Sequence, residues 1–143
     1  MKVSKDLDLA ARALIYLAGK PQDAGAVVDE FSKALGEAPD VLEGLMELLR
    51  KGKVVKTRRN VGQDEYLLRL PASNIRIGMI VDALQPREAW ELSFGHEGGT
   101  GREYVGEYEG RPAWNELEKV ILRGLKEYTL DHLAWDTAFR LDP

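Results

Sequence analysis

A chain of 143 residues, 44% of them hydrophobic, can form one globular domain around a small core. It contains no cysteine, which excludes a disulfide framework, a cysteine nucleophile and a zinc site built on thiolates. The formal net charge of −4 argues against a nucleic-acid partner, but the charge is unevenly placed. Residues 1–70 carry 12 basic against 11 acidic side chains and residues 71–143 carry 8 against 13, so we expect the two halves to differ in role.

The sequence lacks the pattern of a targeting or membrane-spanning segment. Asp6, Asp8 and Arg12 interrupt the only apolar region near its start, which is unlike the apolar core of a signal peptide. No apolar run approaches the length of a membrane span. We therefore expect a cytoplasmic protein that does not contact a membrane.

The first half of the chain has the pattern of three helices followed by a hairpin. Apolar residues recur at helical spacing in residues 5–18, 26–35 and 39–51. The buried face of the third helix is predicted to comprise Val41, Leu42, Leu45, Met46, Leu48 and Leu49. Alternating residues then predict strands at 53–57 and 66–70 around a polar turn at 60–64. This order of elements is that of a winged helix-turn-helix.

The second half is predicted to be helical, with one long irregular segment. A short helix at 77–84 precedes a loop that holds six glycines between residues 92 and 111. A long helix is expected at 112–128, and Thr129 is expected to cap a last helix at 130–135. The long helix carries a heptad-like apolar series, namely Trp114, Leu117, Val120, Ile121, Leu125 and Tyr128. We expect two copies to pair through this series in a homodimer; the alternative is that the helix packs on its own winged domain.

A resemblance to a known family rests on four stretches that occur in order over nearly the whole chain. They are residues 1–4 with 11–18, residues 42–55, residues 75–84, and Trp114 with the residues that follow it to 133. These stretches resemble the Rrf-two (BadM/IscR-type) family of winged-helix transcriptional regulators. The resemblance implies a mainly α fold with a small β wing (α+β). It places a winged helix-turn-helix DNA-binding domain at 1–71, and a linker helix, Gly-rich loop and dimerisation helix at 72–143.

The sequence departs from the family pattern at two places. The family's wing usually ends in Gly-Gly-Tyr, whereas the segment 60–66 keeps only Gly62 and Tyr66 and adds two acidic residues. Members that bind an iron–sulfur cluster carry three cysteines in the loop before the dimerisation helix, and the corresponding segment 93–111 has none. We therefore expect no cluster held in the family manner, and no cofactor.

The resemblance implies that the third helix enters the DNA major groove while the wing reaches the backbone or the minor groove. Glu43 could accept a hydrogen bond from cytosine N4, and Arg58 and Arg59 suit a narrow minor groove. The residues expected at the DNA are Lys2, Lys5, Asp40, Glu43, Lys51, Lys53, Lys56, Arg58 and Arg59. The competing interpretation is that they are ordinary solvated charges. Asp40, Glu43 and Glu47 also give the third helix an acidic face that would repel phosphate.

We expect a homodimeric regulator, not an enzyme, that binds a palindromic operator in double-stranded DNA and acts as a repressor. Two alternatives stay open: a dimeric protein-interaction module that does not bind DNA, and a DNA-binding regulator controlled by a small molecule or partner protein near Trp90 or the loop. The loop contains His96, Glu97, Glu103, Glu107 and Glu109, a set that suits a solvated acidic loop better than a metal site. His132 is expected to have a packing or capping role.

Overall fold

The computed structural model describes residues 5–21, 23–84 and 112–134. Its helices and strands, in chain order, are α1 (Lys5–Ala18), α2 (Val28–Leu35), α3 (Pro39–Lys51), β1 (Val55–Asn60), β2 (Gln63–Leu68), α4 (Ile77–Leu84), α5 (Pro112–Glu127) and α6 (Leu130–Ala134). A 3-10 turn, Ala72–Asn74, precedes α4. The predicted fold class is confirmed, since helices dominate and the strands form one antiparallel hairpin.

The first three helices pack around side chains that the helical spacing brings to one face of each. Phe31 of α2 and Leu14 of α1 are fully buried, as is Leu42 of α3. Gly36 ends α2 in the left-handed conformation with φ 66°, and Pro39 begins α3 at a position that needs no backbone N–H donor. Only residues 36–38 separate α2 from α3, which is the short connection of a helix-turn-helix.

The buried stripe of α3 is narrower than the sequence predicts. Leu42, Leu45, Met46 and Leu49 are buried. The prediction was wrong for Val41 and Leu48, which are 41% and 40% exposed. At about 100° per residue both lie on one flank of the buried stripe, where the core no longer covers them.

The hairpin has a two-residue turn, so the predicted turn at 60–64 was too long. Val61 and Gly62 have φ of 49° and 77°, and this pair of left-handed residues closes the tightest hairpin connection. The register pairs Asn60 with Gln63 and Val55 with Leu68. The polar residues beside the turn belong to the strands because Asn60 pairs with Gln63 and Arg59 with Asp64, and all four are exposed.

The base of the hairpin is joined to the segment before α2. Ala26 and Tyr66 exchange backbone hydrogen bonds of 3.0 and 2.8 Å, so α2 begins at Val28 and not at the predicted residue 26. Gly25 allows this close approach, because a Cβ at that position would lie 2.7 Å from the carbonyl oxygen of Tyr66. The hairpin is therefore fixed to the helices at its base.

The helices that follow the hairpin share a core with those that precede it. Ile75, Ile80 and Leu130 belong to the buried cluster built on α1 to α3. The segments before α4 and α6 pair through backbone hydrogen bonds of 2.9 Å from Leu130 to Ile75 and from Ile77 to Tyr128. The division at residue 71 into two domains stays a prediction.

The last helix begins at Leu130, directly after Thr129 as predicted. The backbone N–H of Thr129 donates to His132 Nδ1 at 2.9 Å, in the manner of a capping box. The predicted capping role of His132 is therefore confirmed. None of the helices in the described part of the chain is both long and apolar enough to cross a membrane.

Candidate nucleic-acid interface

The solvent-facing surface of α3 has two chemically different flanks. Val41 and Leu48 lie on one flank. Asp40 and Glu43 are exposed and Glu47 is half-buried, and all three lie toward the other side of the helix. The helix therefore offers methyl groups on one flank and hydrogen-bond acceptors on the other.

The acidic flank of α3 faces the hairpin. Burial is the main reason why the pKa of Tyr66 lies above its usual value, and the charges of Glu47, Asp64 and Glu43 raise it further. Carboxylates of α3 and of the hairpin therefore lie near one buried tyrosine. The Arg50 guanidinium hydrogen-bonds Glu47 and lowers the pKa of that carboxyl group, so part of this acidity is compensated.

Both hairpin arginines are paired with the carboxylates directly opposite them on β2. Arg58 donates to Glu65 at 2.7 and 3.0 Å and to the Asp23 carbonyl oxygen at 3.2 Å. Arg59 donates to Asp64 at 3.1 Å. Both guanidinium groups remain at least half exposed. The wing therefore presents its arginines to solvent with each positive charge already balanced.

The predicted lysines lie in two places. Lys51 and Lys53 at the end of α3 and Lys56 on β1 are exposed, and in the described residues neither Lys53 nor Lys56 has a carboxylate within ion-pair distance. Lys5, at the start of α1, lies 3.6 Å from Glu37 in the turn before α3. These groups thus lie near both ends of α3, and Lys2 falls outside the described residues.

The structure adds surface residues that sequence reasoning missed. Arg50 is exposed beside Glu47, and Val61 protrudes from the hairpin turn with 95% of its surface exposed. The available signal for Val61 was the dipeptide Val61-Gly62 between two polar stretches, which is compatible with a two-residue turn.

The series predicted to mediate dimerisation is divided in the structure. Val120 and Tyr128 are 56% and 59% exposed, whereas Ile121 and Leu125 are half-buried. The backbone of Leu125 approaches α4, since a Cβ at Gly78 would lie 3.2 Å from the Leu125 carbonyl oxygen. The side chains of Trp114 and Leu117, like Trp90 and the loop at 93–111, fall outside the described residues. Part of α5 thus packs on its own chain, and part of its apolar face stays exposed.

Three helices with a short α2–α3 turn, followed by a β hairpin, define a winged helix-turn-helix protein. The chain belongs to the Rrf2 family, whose model matches residues 3–136 and carries the description iron-dependent transcriptional regulator. The chain is therefore a member of a family of transcriptional regulators.

Solved structures of this family have the same fold. CymR, the global cysteine regulator of B. subtilis, superposes with a TM-score of 0.68 at 22% identity, covering 94% of this chain and 96% of that one. IscR of T. potens gives a TM-score of 0.66 at 22% identity, and the match covers 93% of this chain and 85% of IscR. The oxidised form of Staphylococcus aureus CymR gives a TM-score of 0.67 at 20% identity, and the match covers 96% of this chain and 98% of that protein. No curated protein matches the chain significantly.

The iron named in the family description does not fit the donor set of this chain as a thiolate-held cluster. Iron–sulfur clusters are held mainly by cysteine thiolates, and the sequence has no cysteine. In the described residues no group of three or more histidines and carboxylates is placed to hold a metal ion.

Proposed function

We propose that this protein is a sequence-specific regulator that binds operator DNA as a homodimer, with α3 in the major groove and the hairpin along the adjacent minor groove or backbone. The supporting observation is the exposed surface of α3 beside a projecting hairpin that carries Lys56, Arg58 and Arg59. This is the arrangement with which winged helix-turn-helix proteins meet duplex DNA.

The charge on this surface suits DNA only if the arginines change partners. A phosphate that approaches the hairpin can replace Asp64 at Arg59, because exposed ion pairs of this kind contribute only about 0–1 kcal/mol. The acidic groups of α3 then act as acceptors for base amino groups, such as cytosine N4 for Glu43. Val41 offers methyl groups that suit the thymine methyl.

Pairing of two chains through α5 would give the two recognition helices that a palindromic operator requires. The exposed Val120 and Tyr128 support such pairing, because a second copy of α5 would cover both side chains. A dimer that occupies an operator would act most simply as a repressor, and it would act in the cytoplasm, where the DNA lies.

The experiment is selection of genomic DNA fragments on the purified protein at moderate salt, followed by sequencing. We expect enrichment of a few palindromic sites, and affinity that falls steeply as salt rises. Uniform recovery, or no recovery, would contradict the proposal.

A second candidate is a dimeric protein-interaction module that does not bind DNA. The observation in its favour is that carboxylates of α3 and of the hairpin lie close enough to Tyr66 for their charges to raise its pKa. It predicts no salt-dependent DNA retention. Control by a small molecule or partner protein is compatible with the first proposal, and it would appear as a ligand-dependent change in operator affinity.

A further inference from the structure

Val61 combines an unusual backbone conformation with an unusual exposure. Its φ of 49° lies in the left-handed region, which a β-branched residue rarely adopts. Asparagine or glycine would form the same turn with less strain. The side chain is also 95% exposed, so it gains nothing from the core of its own chain. An apolar residue that costs stability and lies in water suggests a contact made outside the chain.

The position of Val61 determines which partner it can meet. Beyond the pair of Thr57 with the buried Tyr66, every residue of the hairpin is exposed except the half-buried Glu65. Val61 follows Thr57 by four residues, and a strand rises about 3.3 Å per residue, so the tip of the hairpin lies about 13 Å beyond that pair. The strands beside it carry three basic residues, Lys56, Arg58 and Arg59, against Asp64 and Glu65, so a net positive charge remains that favours a polyanion over an apolar protein groove.

We propose that Val61 is a DNA contact, packing its methyl groups against sugars and base edges in the minor groove while Arg59 beside it binds phosphate. This inference rests on the proposed function. Proteins that enter the minor groove often use an apolar side chain there together with arginine or lysine. A tip that protrudes on a narrow two-stranded ribbon can enter this groove without displacing α3 from the major groove.

The test measures duplex affinity and melting temperature for Val61→Asn, Val61→Ile and the control Gln63→Ala on the best fragment from the genomic selection. Asparagine tolerates the left-handed conformation, so Val61→Asn should melt at or above the wild-type temperature. It should nevertheless bind DNA about fivefold to tenfold more weakly, because apolar contact is lost. Val61→Ile keeps that contact and Gln63→Ala leaves it in place, so both should keep the wild-type affinity.

A second arm tests the groove. Replacing adenines beside the half-sites with 2,6-diaminopurine adds an amino group to the minor groove and leaves the major-groove face of the base as it was. Wild-type affinity should fall more than that of Val61→Asn. This inference alone would be overturned if the Val61→Asn protein bound DNA as tightly as the wild type. It would also be overturned if 2,6-diaminopurine weakened the binding of both proteins equally. A wild-type protein that retains no duplex would overturn the proposed function as well.

Discussion

The carboxylates opposite the hairpin arginines compensate the positive charge that these arginines would offer to a phosphate group. Asp64 is exposed, and Arg59 is its ion-pair partner among the described residues. Glu65 is more deeply placed, and Arg58 also donates to the backbone at Asp23. Arg59 is therefore the more readily released of the two, and Asp64 is the residue whose removal changes the surface charge without loosening the base of the wing.

We predict that Asp64→Asn strengthens binding to duplex DNA by about threefold, because it removes a negative charge and a competitor for Arg59. Arg59→Ala, at the same cross-strand pair, should weaken binding while leaving the fold intact. Fluorescence anisotropy on a labelled duplex measures both. If the two substitutions changed affinity in the same direction, Arg59 would not be a phosphate contact.

At the scale of single elements, the amphipathic helices could be predicted from the sequence. The bounds of α1, α3 and α4 agree with the prediction because a clear apolar stripe meets a glycine or proline signal at the ends of α1 and α3. The assignment of Val41 and Leu48 failed because both lie at the edge of the stripe, where burial depends on what packs there.

The ion pairs of the wing could not be predicted from the sequence, for a different reason. Exposed strands lack the alternation of apolar and polar residues that marks a strand with one buried face. The register depends on the turn length, and only a turn at Val61 and Gly62 places Arg59 opposite Asp64 and Arg58 opposite Glu65. A five-residue turn would have given the arginines other partners.

The junction between α1 and α2 depends on one carboxylate. The Tyr16 hydroxyl donates a hydrogen bond to the Glu30 carboxylate at 2.5 Å, and the Lys20 ammonium donates to the same carboxylate. The Tyr16 ring also packs edge-to-face on the ring of Phe31, with the ring centroids 5.8 Å apart. Burial alone would raise the pKa of Glu30, but these hydrogen bonds and the Lys20 charge outweigh it and lower the pKa. The hydrogen bond to Glu30 is the main reason why the pKa of Tyr16 is raised.

We predict that Glu30→Gln lowers the free energy of unfolding at pH 7 by about 1 kcal/mol, a modest cost because solvent screens this partly exposed group. Because the pKa of Glu30 is lowered in the folded protein, its ionised form stabilises the fold at pH values above the usual carboxyl pKa. This stabilisation is lost as the pH falls through the pKa that Glu30 has in the folded protein. Urea unfolding at pH 7 and pH 3 should therefore show a difference from wild type that disappears in acid. Asp82→Asn, an exposed carboxylate on α4, is the control, and a pH-independent difference for Glu30→Gln would contradict this account.

At the scale of the whole molecule, one hydrophobic core joins the helix-turn-helix to the helices that follow the wing. Gly52 lets the end of α3 pack against α4, since a Cβ there would lie 2.4 Å from Ala83 Cβ. α4 in turn packs against α5 at Gly78. α3 and α5 are therefore connected through α4, which packs against both.

We predict that Val120→Asp converts the dimer into monomers, because it places a charge on the exposed apolar face without disturbing the core. Lys126→Asp changes an exposed residue of the same helix about 120° around its axis from Val120, and it should leave the dimer intact. Light scattering after size-exclusion chromatography gives the masses. A Val120→Asp protein that still has twice the mass of the 16.0 kDa chain would contradict pairing through α5.

Specific DNA binding is tested by the affinity of the wild-type protein for its best selected palindrome and for a scrambled duplex over a range of salt concentrations. We predict that the palindrome binds at least about a thousandfold more tightly, and that both affinities fall as salt rises. Equal and weak binding of the two duplexes would contradict the account, and the acidic flank of α3 would then belong to a surface for protein partners.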